Sequence, residues 1–295
     1  MSGRMPGKLG FPAHRHRVAE LIGASSIELS PRDELAGEPL RDLFAPATTV
    51  FVAHPPSATY RDIVAACARL HRAGFIAIPH VAARRLVSLV EASDFLERAA
   101  GEANVVDALL IGGDPDWPAG PFRDSVSLLE SGVVECHGLD RIRFAGYPEG
   151  HPLITARALD AALDAKLALA RQHGLEASLV TQFGFDAAPI QRWISALRAR
   201  GIICAVRVGV AGPASVATLA RFAVRCGIGA SMRALARGHT AFARVVTEAG
   251  PDALIDALVA GEAKDTAVDG LHVFTFGGLR RAAAWVQGAV GREIV

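Results

Sequence analysis

The chain has 295 residues, about half of them hydrophobic, and its 31 basic side chains nearly balance 30 acidic ones. That is enough apolar material for a large core, and the charge balance argues against a nucleic-acid partner, which calls for a basic excess or stripe. The longest apolar stretch, residues 201–220, is broken by Arg207 and by several Gly and Pro, which argues against a membrane span. Cys67, Cys136, Cys204 and Cys226 are scattered, without CxxC or Cys/His spacing. No metal site is expected from them, and with no apolar signal core at the N-terminus they suit a reducing, cytoplasmic setting.

In chain order, residues 1–20 hold a basic cluster of Arg4, Lys8, His14, Arg15, His16 and Arg17 and read as a flexible, solvated leader. Short apolar runs follow at 25–29, 49–53, 75–79, 108–111, 142–146, 178–182, 203–208 and 272–276. Most are apolar throughout, as strands covered on both faces should be. Longer segments between them have helical periodicity. Residues 60–73 align Ile63, Val64, Cys67 and Leu70; residues 155–173 align Leu159, Leu163, Leu167 and Ala170; residues 187–200 align Ile190, Ile194 and Leu197. Gly74, Gly174 and Gly201 stand where C-cap glycines belong. Eight βα units with no linker predict an α/β protein: a (β/α)8 TIM barrel, one domain over residues 21–295. The rival, an open doubly wound sheet, needs a glycine-rich phosphate turn after its first strand. That position reads Ser30-Pro31-Arg32-Asp33.

Barrel chemistry sits at the C-terminal ends of the strands, and those ends are rich in polar residues. The first strand carries Glu28; the second runs into His54-Pro55-Pro56; the third ends in Pro79-His80; the fourth in Gly112-Gly113-Asp114-Pro115. The fifth ends in Tyr147-Pro148-Glu149-Gly150-His151-Pro152 and the sixth in Thr181-Gln182-Phe183-Gly184-Phe185-Asp186. The seventh carries Arg207 and the eighth ends in Phe274-Thr275-Phe276-Gly277-Gly278. Each has a structural reading too. Glu28 could be salt-bridged, with Arg207 as partner; Asp114 could cap the next helix; His80 and Gln182 could be satisfied core groups. His71, His173 and His239 read as surface residues.

These segments, in this order, resemble the motifs of methylenetetrahydrofolate reductases, over roughly residues 20 to 280. The Tyr-Pro-Glu-x-His-Pro and Thr-Gln-Phe-x-Phe-Asp stretches are the most specific. The resemblance implies a (β/α)8 barrel that interconverts 5,10-methylenetetrahydrofolate and 5-methyltetrahydrofolate, with NADH or NADPH as hydride source and FAD as carrier. It implies that Glu28 is the general acid and that Asp114 lies near flavin and pterin, stabilising a 5-iminium cation. Gln182, Phe183 and Arg280 would contact the folate. His54, His80, Gly113, Tyr147, His151, Asp160 and Lys166 fall at or near positions that hold FAD.

Several positions depart from the family pattern. Ala53-His54-Pro55-Pro56 replaces a Thr-Tyr-Gly-Ala turn, Gly112 replaces an Arg, Gly184 a Phe, and Gly277-Gly278-Leu279-Arg280 stands near a Leu-Asn-Arg. These changes fall on cofactor contacts and spare the acidic pair. A flavin-free enzyme passing hydride directly from NAD(P)H is therefore the alternative within the family. Outside it, a non-redox, methyltransferase-like folate barrel would want a methyl-acceptor site, which no cysteine cluster supplies. A catalytically dead scaffold would not need Glu28 and Asp114. The oxidative direction, in a demethylation pathway, is equally open. The Ala-rich segments 156–170 and 282–289 suit either homo-oligomer interfaces or tight helix–strand packing.

Overall fold

A computed structural model describes residues 11–33, 37–225, 250–263 and 266–291. Arg4, Lys8, Cys226 and His239 lie outside the described residues. The strands are β1 (Ser26–Leu29), β2 (Thr49–Val52), β3 (Ile76–Ala82), β4 (Asp107–Ile111), β5 (Arg141–Gly146), β6 (Glu176–Gly184), β7 (Val206–Ala211) and β8 (Gly270–Phe274). They follow one another in a closed barrel, β1 through β8, and the recorded pairings are parallel. The expected (β/α)8 barrel is therefore the observed one. No described helix is long and apolar enough to cross a membrane.

Contacts within the chain cluster into two units. The first comprises Ser26–Gly146 and Leu153–Val180. It holds α2 (Tyr60–Arg72), α3 (Leu89–Ala103), α4 (Ser125–Glu130) and α5 (Ala156–Gln172). Helix α2 starts with a capping box between Thr59 and Asp62 and buries Ile63, Val64, Cys67 and Leu70. Gly74, at φ +82°, ends it. Inside the barrel wall, Phe51, Ile78, Leu109 and Val180 pack together with Ile111 beside them. Arg143 forms a bidentate pair with the buried Asp107, Nη2 donating to Oδ2 at 2.7 Å and Nε at 3.0 Å, and its guanidinium lies 5.4 Å from the Phe51 ring centre.

The second unit comprises Met1–Ser25, Tyr147–Pro152 and Thr181–Val295. Its described helices are α1 (Phe11–Gly23), α6 (Ala187–Ala199), α7 (Val216–Arg225), α8 (Asp252–Ala260) and α9 (Leu279–Gly291). Helix α1 corrects the expectation of a flexible leader to residue 20. Leu21 and Ile22 are buried, and α1 packs against α9 and α8. Arg17 pairs with both oxygens of Glu262 and donates to the Val268 carbonyl at 2.8 Å. The basic residues of this segment hide a short apolar stripe, Val18, Leu21 and Ile22, spaced i, i+3, i+4.

Strand seven also differs, starting three residues later than expected. Ile203 is exposed, and the carbonyls of Ile202 and Cys204 accept from Arg198 instead of joining a ladder. In β7 the amide of Gly209 donates to Thr181 Oγ1 at 2.9 Å, and a Cβ there would stand 2.4 Å from the Thr181 carbonyl. Only glycine permits that approach of β6 and β7.

Candidate active site

Alternation along a strand puts residues i and i+2 on one face. Glu28, Phe51 and Ile78 share a rung across β1, β2 and β3, and His80 lies two residues beyond Ile78. The Glu28 and His80 side chains therefore meet over β2. Glu28 Oε2 lies 3.4 Å from His80 Nε2, and the angle falls outside hydrogen-bond geometry, so the contact is electrostatic. Phe51 forms the floor, with its ring edge-on to the His80 imidazole at 6.0 Å.

His54 lies two residues past the end of β2. Its ring is edge-on to Phe95 at 6.4 Å, and Tyr60, whose hydroxyl donates to Asp94, also packs against Phe95, at 5.7 Å. Burial, then the charges of Arg85 and His80, push the His54 imidazole down to about 4, against a hydrogen bond to the His80 backbone that raises it. His54 is neutral at pH 7.

Asp114 is exposed on the segment after β4. It does not cap the next helix; Asp124 does, accepting from Ser127 N at 2.8 Å. That segment is held by Arg84, whose amide donates to the Gly112 carbonyl. The Arg84 side chain donates to the carbonyls of Arg123 (2.7 Å) and Pro115 (3.2 Å). Gly113, at φ +93°, makes the turn before Asp114, and a Cβ there would press on Ala82 at 3.2 Å.

In the second unit, Tyr147 and Gly150 close a turn through Gly150 N–H to the Tyr147 carbonyl, and Gly150 has φ +81°. The Tyr147 and His151 rings meet edge-on at 5.4 Å. Gln182 Nε2 donates to the Gly150 carbonyl at 3.2 Å, so the two most specific motifs are joined by a hydrogen bond. Gly184 leaves room for Glu149, whose Oε1 would lie 3.4 Å from a Cβ there. Asp186 caps α6 through Ala188 N.

Several expected site residues are placed otherwise. Phe183, expected at the folate, is 1% exposed, in a core with Phe274, Phe276 and Phe185. It faces away from Gln182 because adjacent strand residues alternate. Lys166, expected at FAD, is 8% exposed, with its ammonium 5.1 Å from the Phe144 ring centre. Burial pushes its amine down to about 8, and Asp124 only partly opposes this. Asp160 is exposed on α5 and Arg280 exposed at the start of α9. Arg207, weighed as a partner for Glu28, donates to the carbonyls of Ala24 and Leu271. His173, read as a surface residue, is half-buried and paired with Glu135.

One residue was missed. Arg85, on the turn after β3, has a buried Nε with no hydrogen-bond partner. The Arg84-Arg85 doublet, just beyond the Pro79-His80 strand end, was the signal available in the sequence.

No family model matches the chain. Among solved structures it is similar to N-acetylneuraminate lyase from Fusobacterium nucleatum, complexed with pyruvate, at 12% identity and a TM-score of 0.45. The match covers 92% of this chain and 78% of that one, and no residue role is taken from it.

Proposed function

We propose that the protein is an oxidoreductase of the methylenetetrahydrofolate reductase type, interconverting 5,10-methylenetetrahydrofolate and 5-methyltetrahydrofolate. The observation that carries this reading is the pairing of Glu28 with His80 over Phe51 at the strand ends. A carboxyl that must give a proton to the folate's N10 needs a nearby group that can exchange protons with it, and an imidazole 3.4 Å away is such a group.

In the reductive direction, protonation of N10 by Glu28 lets the bond between N10 and the bridging carbon break. The 5-iminium cation that forms accepts hydride on that carbon and becomes the 5-methyl group. One NAD(P)H and one proton are consumed. Asp114, on its clamped turn, supplies negative charge for the cation.

FAD would bring a hydride relay between nicotinamide and folate. The residues expected to hold it fit poorly. Lys166, the one lysine or arginine among them, is sealed against Phe144, and His54 is neutral. Hydride transfer directly from NAD(P)H to the folate is therefore the reading carried forward, and no step is derived through a flavin. A visible spectrum of the purified protein, followed by a methylenetetrahydrofolate-dependent NAD(P)H oxidation assay, tests both points. Visible flavin absorbance would restore FAD. No folate-dependent oxidation in either direction would overturn the reductase reading.

A further inference from the structure

The segment between β4 and α4, residues 112–124, carries Asp114 and has neither helix nor strand. Irregular stretches of that length are uncommon in a compact domain and are among the first to move. A single residue fastens this one. Arg84, on the turn after β3, donates its amide to the Gly112 carbonyl at 2.9 Å, and its own carbonyl accepts from Ala119 N–H at 2.8 Å. Its guanidinium donates through Nε to the Arg123 carbonyl at 2.7 Å and through Nη1 to the Pro115 carbonyl at 3.2 Å. Asp114 stands between two of these four anchor points, Gly112 and Pro115.

All four partners of Arg84 are main-chain groups, so its guanidinium is spent on geometry and not on an ion pair. A planar guanidinium can hold two carbonyls in fixed directions at once. Two glycines let segment and turn approach. A Cβ at Gly113 would press on Ala82 at 3.2 Å, and one at Gly120 would stand 2.4 Å from the Val87 carbonyl. Phe122, buried, anchors the far end of the segment. The turn that bears Arg84 continues β3, the strand that sets His80 beside Glu28. The backbone at Asp114 is therefore tied to the strand that carries half of the proposed proton-transfer pair.

We propose that Arg84 is a positioning residue for the reaction. It holds the segment bearing Asp114 in register with the Glu28–His80 pair, and turnover depends on it through Asp114. This rests on the reductase reading. A cation forming on the folate is stabilised best by a carboxylate already in place, because a mobile one must be ordered at the moment of reaction. Arg84 acts at one remove, since its hydrogen bonds all go to the segment itself.

Two measurements on the full chain test this. Hydrogen exchange read by peptide mass spectrometry reports the fastening without turnover. Arg84→Met should speed exchange across residues 112–123 by about tenfold or more and leave β3 and β4 protected. Steady-state kinetics report the link to Asp114. Arg84→Met should lower kcat for folate-dependent NAD(P)H oxidation by about tenfold or more, with KM for the folate within about threefold. Arg84→Met combined with Asp114→Asn should match Asp114→Asn alone within about twofold, because both changes remove one function. A merely structural role would make the losses multiply. Gly120→Ala pushes the same segment off the turn without touching Arg84. It should show the same coupling to Asp114, and it carries the test if Arg84→Met does not fold. Unchanged exchange, a kcat near that of the wild type, or multiplying losses would overturn the positioning role alone. Wild-type protein with no folate-dependent oxidation or reduction of the nicotinamide would overturn the reductase reading, and the role with it.

Discussion

Glu28 and His80 belong to strands that are not neighbours, yet their side chains stand 3.4 Å apart because β2, between them, contributes the flat ring of Phe51 as a floor. The carboxyl and the imidazole are thus held by the barrel wall itself, where backbone hydrogen bonds fix each Cα. Positioning of this kind is what a proton donor requires.

Glu28→Gln keeps the shape of the side chain and removes its proton. Turnover with methylenetetrahydrofolate and NAD(P)H should fall by at least about 100-fold, while folate affinity stays within a few-fold. Steady-state rates and a folate titration on the same preparation separate the two. Turnover near that of the wild type would remove Glu28 from the acid role.

Asp107 and Arg143 set a second constraint on the same wall. The Asp107 carboxylate is buried and accepts both Nε and Nη2 of Arg143, with Arg141 a further 3.5 Å contact. Asp107→Ala would strand a guanidinium against Phe51 and should destabilise the fold by about 3–5 kcal/mol. Asp107→Leu combined with Arg143→Met should recover most of that loss. Urea melts of the two variants check it, and a single substitution worth less than about 1 kcal/mol would show the pair to be solvated.

Much of the barrel was legible because its signals are local. Continuous apolar runs mark strands covered on both faces, and Gly74, Gly174 and Gly201, all at positive φ, mark helix ends. Where reading failed, a tertiary contact decided. The Arg17–Glu262 pair spans 245 residues, and nothing near Arg17 announces it. Phe183 and Gln182 are adjacent in a specific motif, but alternation sends one to the core and leaves the other at the strand end. Arg85 had no signal beyond its neighbour, since an unpartnered Nε exists only after burial.

The pH dependence of stability should carry the mark of His54. Its imidazole titrates near the ordinary 6.5 when unfolded and at about 4 when folded. Between those values the unfolded chain binds the extra proton, so stability is full above pH 6.5 and is lost as pH falls toward 4. The loss attributable to this residue is at most roughly 3 kcal/mol. His54→Gln should flatten the melting temperature between pH 6.5 and 4.5 relative to wild type. An acid limb of unchanged steepness would mean the imidazole is better solvated than its position implies.

Lys166 should leave a trace of the same sign on the alkaline side. Its amine falls from 10.5 to about 8 on folding because α5 seals it against Phe144, with Asp124 opposing only part of that shift. Between pH 8 and 10.5 the unfolded chain holds the proton and the folded chain does not, so stability rises with pH across that window. Below pH 8 the penalty of burying an ammonium is present in full, at roughly 3 kcal/mol. Lys166→Met keeps the length and apolar stem and removes the charge. It should therefore stabilise the protein at pH 7 and abolish the rise above pH 8, read as melting temperature against pH. The same variant addresses the cofactor. A lysine that held a dinucleotide phosphate would weaken dinucleotide binding when replaced, whereas one sealed beneath a helix would leave it unchanged. Lost dinucleotide affinity with no gain in stability at pH 7 would return Lys166 to the cofactor site.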